Sequence, residues 1–530
     1  MDFLYRNIHM EQKKWEASTQ ITIEEDINIP ELKGDCLVML LKDVVPVLEE
    51  TRVGRDQVAV KGALQYQILY ETGKEGRLEQ LSGSLLFEEI LHVEGTIPGE
   101  LANVKVVIED FKASMINTRK IAIQSVVMLC VHMHQLTEEE WTDDVVNAGT
   151  DLEKLFEAKE VMQLCQKKSD VFRVKEELEL PGGYPAVQNL LWERVTLSDM
   201  EVRPMEGKVS LKGELNGFFI YIAQGTGQNI KMLHKKIPFH GIIDCSVCQS
   251  DMSVSVMPAL SSCTVEIKPD LDGEDRVLYL EAAIDLQIRI YSQEKISLLQ
   301  DVYSVNREII PQEKTVQAPV LHITGDGKCK LKHNHKLREG IPKALQILHT
   351  CGSVLPDREI WEDGKLSLMG TVHAQILYMS SEEEMPYAVS ECEIPYALEM
   401  ESNEVMAEEN KWEKPSILIE PRLEQLEAQL VDSEEMELKG ILAFSVLAFS
   451  GEKFTCIGNA ESKPLDTVKF AALPSMVMCF ADKDTPIWEY GKKYYMPVEE
   501  IKRLNNISGD CLKTGSGMLL VKGARQKLGI

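Results

Sequence analysis

The sequence is short of basic charge. Lys and Arg number 57 against 85 Asp and Glu, a formal net charge of -28. Such a surface repels phosphate and anionic lipid, which excludes nucleic acid and membrane surfaces as default partners. Long apolar runs are missing too. Residues 1–9 hold no apolar stretch of signal-peptide length, and the run at 36–41 is far too short to span a bilayer. The expectation is a cytosolic, soluble chain with no direct membrane insertion. The 12 cysteines show no framework spacing and read as small buried hydrophobes of a reducing compartment. Motifs for nucleophilic or phosphate chemistry are also missing: there is no G-x-S-x-G, no P-loop and no glycine-rich turn opening a helix. Acidic clusters at 138–140 and 382–384 need no catalytic explanation in a chain this acidic. No enzyme activity, catalytic residue or cofactor is therefore expected.

What the chain does contain is internal repetition, and at 530 residues it is long enough for three or four domains. Segments 58–70, 209–221 and 366–378 are copies of one pattern. In each, a glycine (Gly62, Gly213, Gly370) is followed eight positions later by a tyrosine (Tyr70, Tyr221, Tyr378). Polar turn-forming stretches follow at 71–76, 224–228 and 380–384, and then a strand carrying Phe87, Phe239 or Tyr396. Ile29-Pro30, Leu180-Pro181 and Ile341-Pro342 open the copies, and β-rich runs at 121–133, 277–291 and 436–449 close them. Val, Ile, Leu and Tyr alternate with polar residues, which argues strands. A recurrent glycine inside a strand predicts a bulge or a close backbone approach. The expected fold is mainly β (α+β overall). Three repeated, mostly antiparallel sheet domains span 1–147, 148–315 and 316–466, with short helices near 44–48, 187–191 and 344–348. A further helix is expected over 151–168.

The last fifty residues differ. From Trp488 to Ile507 the pattern predicts two short helices joined by a tight turn, between apolar segments 476–480 and 518–521. This strand–helix–helix–strand order over 474–523 resembles a LysM module, a small fold best known for gripping N-acetylated wall glycans. Where a sugar-binding LysM reads Gly-Asp-Thr-Leu-Trp, this chain, aligned without gaps, reads Asp484-Thr485-Pro486-Ile487-Trp488; a one-residue insertion would instead preserve Asp484-Thr485 and lengthen the loop. That loop normally offers backbone donors to the N-acetyl group, and proline has none to give, so glycan binding is doubtful. Thr485 is expected to cap the first helix, with Pro486 at its first position. Val498, Ile501 and Leu504 should form the inner face of the second helix, which Asn505 and Asn506 terminate. Ile487, Trp488 and Tyr490 are selected as partner-binding residues, since Trp and Tyr are over-represented among interface hot spots.

Three β units followed by one LysM resembles the SipL family of spore-coat morphogenetic proteins, whose repeated units are called SPOCS domains. Segments 171–182 and 206–215 are the most family-like. The resemblance implies a non-enzymatic adaptor in the mother-cell cytoplasm, coating the forespore surface. Its LysM would contact the coat morphogenetic ATPase, and other coat proteins would be partners. The alternative is a peptidoglycan- or chitin-binding protein, which requires export. Two metal-like groupings read as structural. Cys245 and Cys248 form a single CxxC without further ligands, expected as strand cysteines. Cys329, His333 and His335 fall in a basic stretch, 328–338, expected as a solvated linker. No metal is expected.

Overall fold

The computed structural model describes residues 1–73, 77–100, 102–147, 149–225, 229–382, 385–402 and 415–521. Residues 74–76, 226–228 and 383–384 of the expected turns, and 522–523 at the tail's end, lie outside the described residues. The fold is mainly β, as expected, with 76% strand and 4% helix.

Three units share one topology. In the first, β1 (Asp2–Asn28) pairs with β6 (Lys120–Val146), which also pairs with β5 (Asn103–Asn117). A second sheet is the meander β2 (Val38–Gly54), β3 (Gln57–Thr72) and β4 (Arg77–His92). The second unit repeats this. Here β7 (Leu152–Glu179), β12 (Val277–Ser304) and β11 (Ser253–Lys268) form one sheet, and β8 (Val187–Met205), β9 (Lys208–Ala223) and β10 (Asn229–Asp244) the other. In the third unit, β13 (Arg307–Lys336), β18 (Glu435–Pro464) and β17 (Ser416–Leu430) face β14 (Ala344–Glu362), β15 (Lys365–Ser380) and β16 (Tyr387–Glu401). All pairings are antiparallel. Each unit buries an apolar core between its two sheets.

The repeated glycine and tyrosine have physical roles. Each glycine lies on the central strand of the meander, directly opposite an aromatic: Gly62 pairs with Phe87, Gly213 with Phe239 and Gly370 with Tyr396. The ring lies over the glycine, so a Cβ there would come within 2.6 Å of Phe87, 2.5 Å of Phe239 or 2.5 Å of Tyr396. On the glycine's other side the edge strand bulges, between Leu48 and Glu50, between Ser198 and Glu201, and between Pro356 and Arg358. The glycine thus marks both a close approach and a bulge. Each repeated tyrosine is fully buried. Its hydroxyl donates to a backbone carbonyl 36 residues upstream: Tyr70 to Gly34 (3.3 Å), Tyr221 to Pro185 (3.2 Å) and Tyr378 to Pro342 (3.0 Å). This ties the central strand to the segment that opens the unit, and it satisfies a hydroxyl that burial would otherwise penalise. Burial and the nearby Glu382 charge push the Tyr378 hydroxyl up to about 12.

Four expected helices are strands. Residues 44–48, 187–191 and 344–348 belong to the edge strands β2, β8 and β14. Bulges explain the misreading. Register shifts between Met39 and Leu41, between Leu190 and Trp192, and between Ile347 and His349 break the two-residue alternation. Neighbours such as Leu40–Leu41 and Leu191–Trp192 are then both buried, which imitates a helical pattern. Pro46 is accommodated because β2 is an edge. Residues 151–168 fall mostly in β7, where pairing with β12 overrides local helix propensity. The basic stretch 328–338 is no linker, since through Lys336 it is part of β13, paired with β18. The expected boundary at 315/316 also falls inside this strand. Cys245 and Cys248 are buried, but they close a turn after β10, with the Cys248 N–H donating to the Cys245 carbonyl (2.9 Å).

The units meet at several apolar clusters. Leu41, Trp192, Phe218, Cys351 and Leu377 join the three meander sheets in one apolar cluster. Beside it Arg194 binds Asp43 (2.7 Å) of the first unit and donates to the Gly352 carbonyl (2.7 Å) of the third. At another, Ile8, Trp141, Val161, Leu298, Val316 and Cys456 contribute one residue from each strand of the three long two-stranded ribbons, β1–β6, β7–β12 and β13–β18. In the ribbons, Arg289 of β12 donates to Glu11 of β1 at 2.8 and 3.3 Å, and Lys167 of β7 adds a bond of 2.6 Å. Both Glu11 and Arg289 side chains are 1% exposed. Burial raises the Glu11 carboxyl, but the Arg289 and Lys167 charges more than reverse this, leaving it at about 2.

Candidate partner-docking site

After α1 (Thr467–Ala472), the tail forms β19 (Met476–Phe480), a two-residue β20 (Thr485–Pro486), α2 (Ile487–Tyr494), α3 (Val498–Asn505), a two-residue β21 (Cys511–Leu512) and β22 (Gly517–Val521). β19 pairs with β22 and β20 with β21. α2 stops at Tyr495, which adopts the left-handed conformation (φ 55), and Pro497 opens α3. α3 carries Glu499 and Glu500 in its first turn and Lys502 and Arg503 in its last, matching the helix dipole. Asn506 ends it, also left-handed (φ 52). The Asn505 amide donates to the Leu519 carbonyl (2.8 Å) and accepts from the Leu519 N–H (2.7 Å). The expected helix terminator therefore also clamps the last strand. Ile487, Met496, Ile501, Leu512, Met518 and Leu520 build a core of the tail's own.

Two details differ from expectation. Leu504 is 39% exposed, so the inner face of α3 is carried by Val498 and Ile501. Thr485 does not cap α2. Its hydroxyl donates to the Lys483 carbonyl (2.9 Å), and Pro486 occupies the cap position. The strand bridge to β21 fixes this segment before the helix begins.

The three selected residues do not form one exposed patch. Ile487 is fully buried in the tail's core and offers no surface to a partner. Tyr490 is half-buried against the same core. Trp488 already has a partner inside this chain. Its indole N–H donates to Asp301 of β12 (2.8 Å), and its ring meets Tyr303 edge-on at 4.7 Å. Lys492 adds bonds to the same carboxylate at 2.7 and 2.8 Å. The Tyr303 hydroxyl donates to the Met496 carbonyl (2.6 Å), packed so closely that a Cβ on Gly491 would lie 2.4 Å from it. Trp488 thus docks the tail on the second unit.

The surface that sequence reading missed is the outer face of the tail's sheet. Met476, Met478 and Phe480 are 63%, 59% and 68% exposed, beside half-buried Leu519 and Val521. The signal was present, because a two-stranded sheet with apolar residues at every position must turn one set outward. On the loop side, two backbone donors are used within the tail. The Ile487 N–H donates to the Asp510 carbonyl (2.8 Å), and the Thr514 N–H donates to Asp484 (2.8 Å). Bonds from Lys513 and Thr514 hold the exposed Asp484 carboxyl down at about 2.

Among the described residues, no helix is long and apolar enough to cross a membrane. The family model described as SipL, SPOCS domain matches residues 39–116 and 186–268. These two segments are similar to the SPOCS domain. They cover the same four strands of successive units, β2–β5 and β8–β11. Together they make up less than half of the chain. No curated protein and no solved structure matches the chain.

Proposed function

We infer that this chain is a non-enzymatic adaptor of spore-coat assembly, acting at the forespore surface. In this reading the three β units are a scaffold for coat proteins, and the LysM-like tail docks on the coat morphogenetic ATPase. The observation that carries it is the tail's division of surfaces. The Ile487 and Thr514 N–H groups of its loops are bonded internally and Pro486 has none, while Met476, Met478 and Phe480 face outward as an apolar strip. Apolar strips of this kind suit protein more than sugar. The two SPOCS-like segments supply the sporulation context. Several modest contacts facing one polymer gain by effective concentration, so no single one needs high affinity.

The test is capture of the purified ATPase by the full-length chain. Met478→Asp with Phe480→Asp, both exposed, should abolish capture while leaving the fold intact. Unchanged capture would reject the tail assignment. Saturable sedimentation with purified cell wall, competed by N-acetylglucosamine oligomers, would instead favour the glycan-binding alternative.

A further inference from the structure

The three units share a core plan, but the third departs from it at one corner. The last pairs of the long ribbons are equivalent: Asn28 with Lys120, Glu179 with Val277, and Lys336 with Glu435. One residue back on the first strand stand Ile27, Leu178 and His335. Across the sandwich, six residues before the aromatic that covers the glycine, stand Leu81, Leu233 and Ser390. The first two units thus place an aliphatic pair here, with Leu178, Leu81 and Leu233 all buried. The third unit places an imidazole and a hydroxyl, with His335 Nε2 2.7 Å from Ser390 Oγ. Two residues away on each strand the change is of the same kind. Glu25 and Glu176 become His333, and Gly83 and Lys235 become Cys392.

The result is a cluster of His333, His335 and Cys392, all half-buried, whose ligand atoms lie within 4.8 Å of one another. Tetrahedral zinc, with Zn–N near 2.0 Å and Zn–S near 2.3 Å, needs ligand separations of about 3.3–3.7 Å. Side-chain adjustment of roughly an ångström therefore closes the site. A ring that donates from Nε2 to Ser390 keeps its Nδ1 lone pair free, and such outer hydrogen bonds orient ligating histidines. His335 and Cys392 also line a cavity of about 750 Å³, which gives an ion an entry path and room for a water ligand. Sequence reading had grouped Cys329 with the two histidines. The fold substitutes Cys392, which lies on β16, opposite β13.

We propose that His333, His335 and Cys392 bind a zinc-type transition-metal ion that cross-links the two sheets of the third unit. Two imidazoles and one thiolate are a donor set for soft or borderline metals, not for calcium or magnesium. The first two units lack the donors, so the stoichiometry is one ion per chain at this corner.

The experiment uses the full-length chain, reduced and stripped of metal by a chelator, then titrated with Co²⁺ and with Zn²⁺ against a chromophoric competitor. The expected result is one tightly bound Co²⁺ with a near-ultraviolet thiolate charge-transfer band, displaced by Zn²⁺. Cys392→Ser should remove the band, and His335→Leu should weaken binding at least tenfold. His335→Leu installs the side chain that the second unit carries at this place, so it keeps the fold, which circular dichroism checks. Cys329→Ser should change neither band nor affinity. Failure to find saturable binding overturns the proposal. So does a band that persists in Cys392→Ser or disappears in Cys329→Ser.

Discussion

The β units and the tail are held to their neighbours in different ways. Between the units the contacts are buried. Glu11 and Arg289 are enclosed at the ribbon junction, and an apolar cluster from all three meanders closes another. The tail has a core of its own, and it meets the second unit through a small set of contacts in which Trp488, Lys492 and the Met496 carbonyl engage Asp301 and Tyr303. An arrangement of this kind makes the three units one cooperative body and leaves the tail separable. The comparison predicts that disrupting a junction between units costs far more than disrupting the tail's dock.

The largest effect is expected at Arg289. Replacing it with methionine leaves the Glu11 carboxylate buried with only Lys167, and removing one partner of a buried pair costs about 3–5 kcal/mol. Urea titration should show the loss. The same pair predicts an acid response. In the folded state the Glu11 carboxyl is held at about 2, below the ordinary carboxylate value of 4.5. Its contribution is therefore complete above about pH 5 and fades as pH falls toward about 2. In the double variant Glu11→Gln, Arg289→Met this part of the acid dependence should vanish. An unchanged acid profile would place the sensitivity elsewhere.

The glycine row provides a graded test within the units. At Gly62 and Gly370 an added Cβ would meet backbone, the Val47 carbonyl at 2.6 Å and the Leu355 carbonyl at 2.4 Å. At Gly213 the nearest atoms it would meet are side-chain atoms, of Phe239 at 2.5 Å and Met200 at 2.7 Å. Alanine at Gly62 or Gly370 should cost about 1–3 kcal/mol, as overpacking does, and alanine at Gly213 clearly less because Met200 can turn away. Equal melting-temperature losses at all three would mean that the backbone clash is not what decides the cost.

These rows were also what the sequence made most legible. The glycine–tyrosine spacing announced three units because a fixed steric contact and a fixed hydroxyl bond recur in each. The aromatics at Phe87, Phe239 and Tyr396 were placed on the correct strands for the same reason. The edge strands misled, because a bulge buries two successive residues and period-two patterning is lost where Leu40 and Leu41 stand. β7 misled through long-range pairing that no local window contains. At the tail, local signals placed the helices, yet not the surface. Whether Trp488 faces solvent depends on Asp301 and Tyr303, nearly two hundred residues away in sequence. Cys392 joins the two histidines only through the stacking of β13 on β16.

The smallest effect sharpens the opening contrast. Asp301→Ala removes the acceptor shared by Trp488 and Lys492, while the Tyr303 contacts remain. A partly exposed charged hydrogen-bond pair of this kind is worth about 1–2 kcal/mol. That is enough to shift docking of the tail but not folding of the body. Limited proteolysis between β18 and β19 should accelerate several-fold, with the urea midpoint of the β units unchanged. Trp488→Phe should behave alike, since it keeps an aromatic edge on Tyr303 and loses only the N–H. If Asp301→Ala instead lowered the body's midpoint as Arg289→Met does, the tail would be part of the cooperative unit, and its apolar outer strip would have to be understood as a surface of the whole molecule.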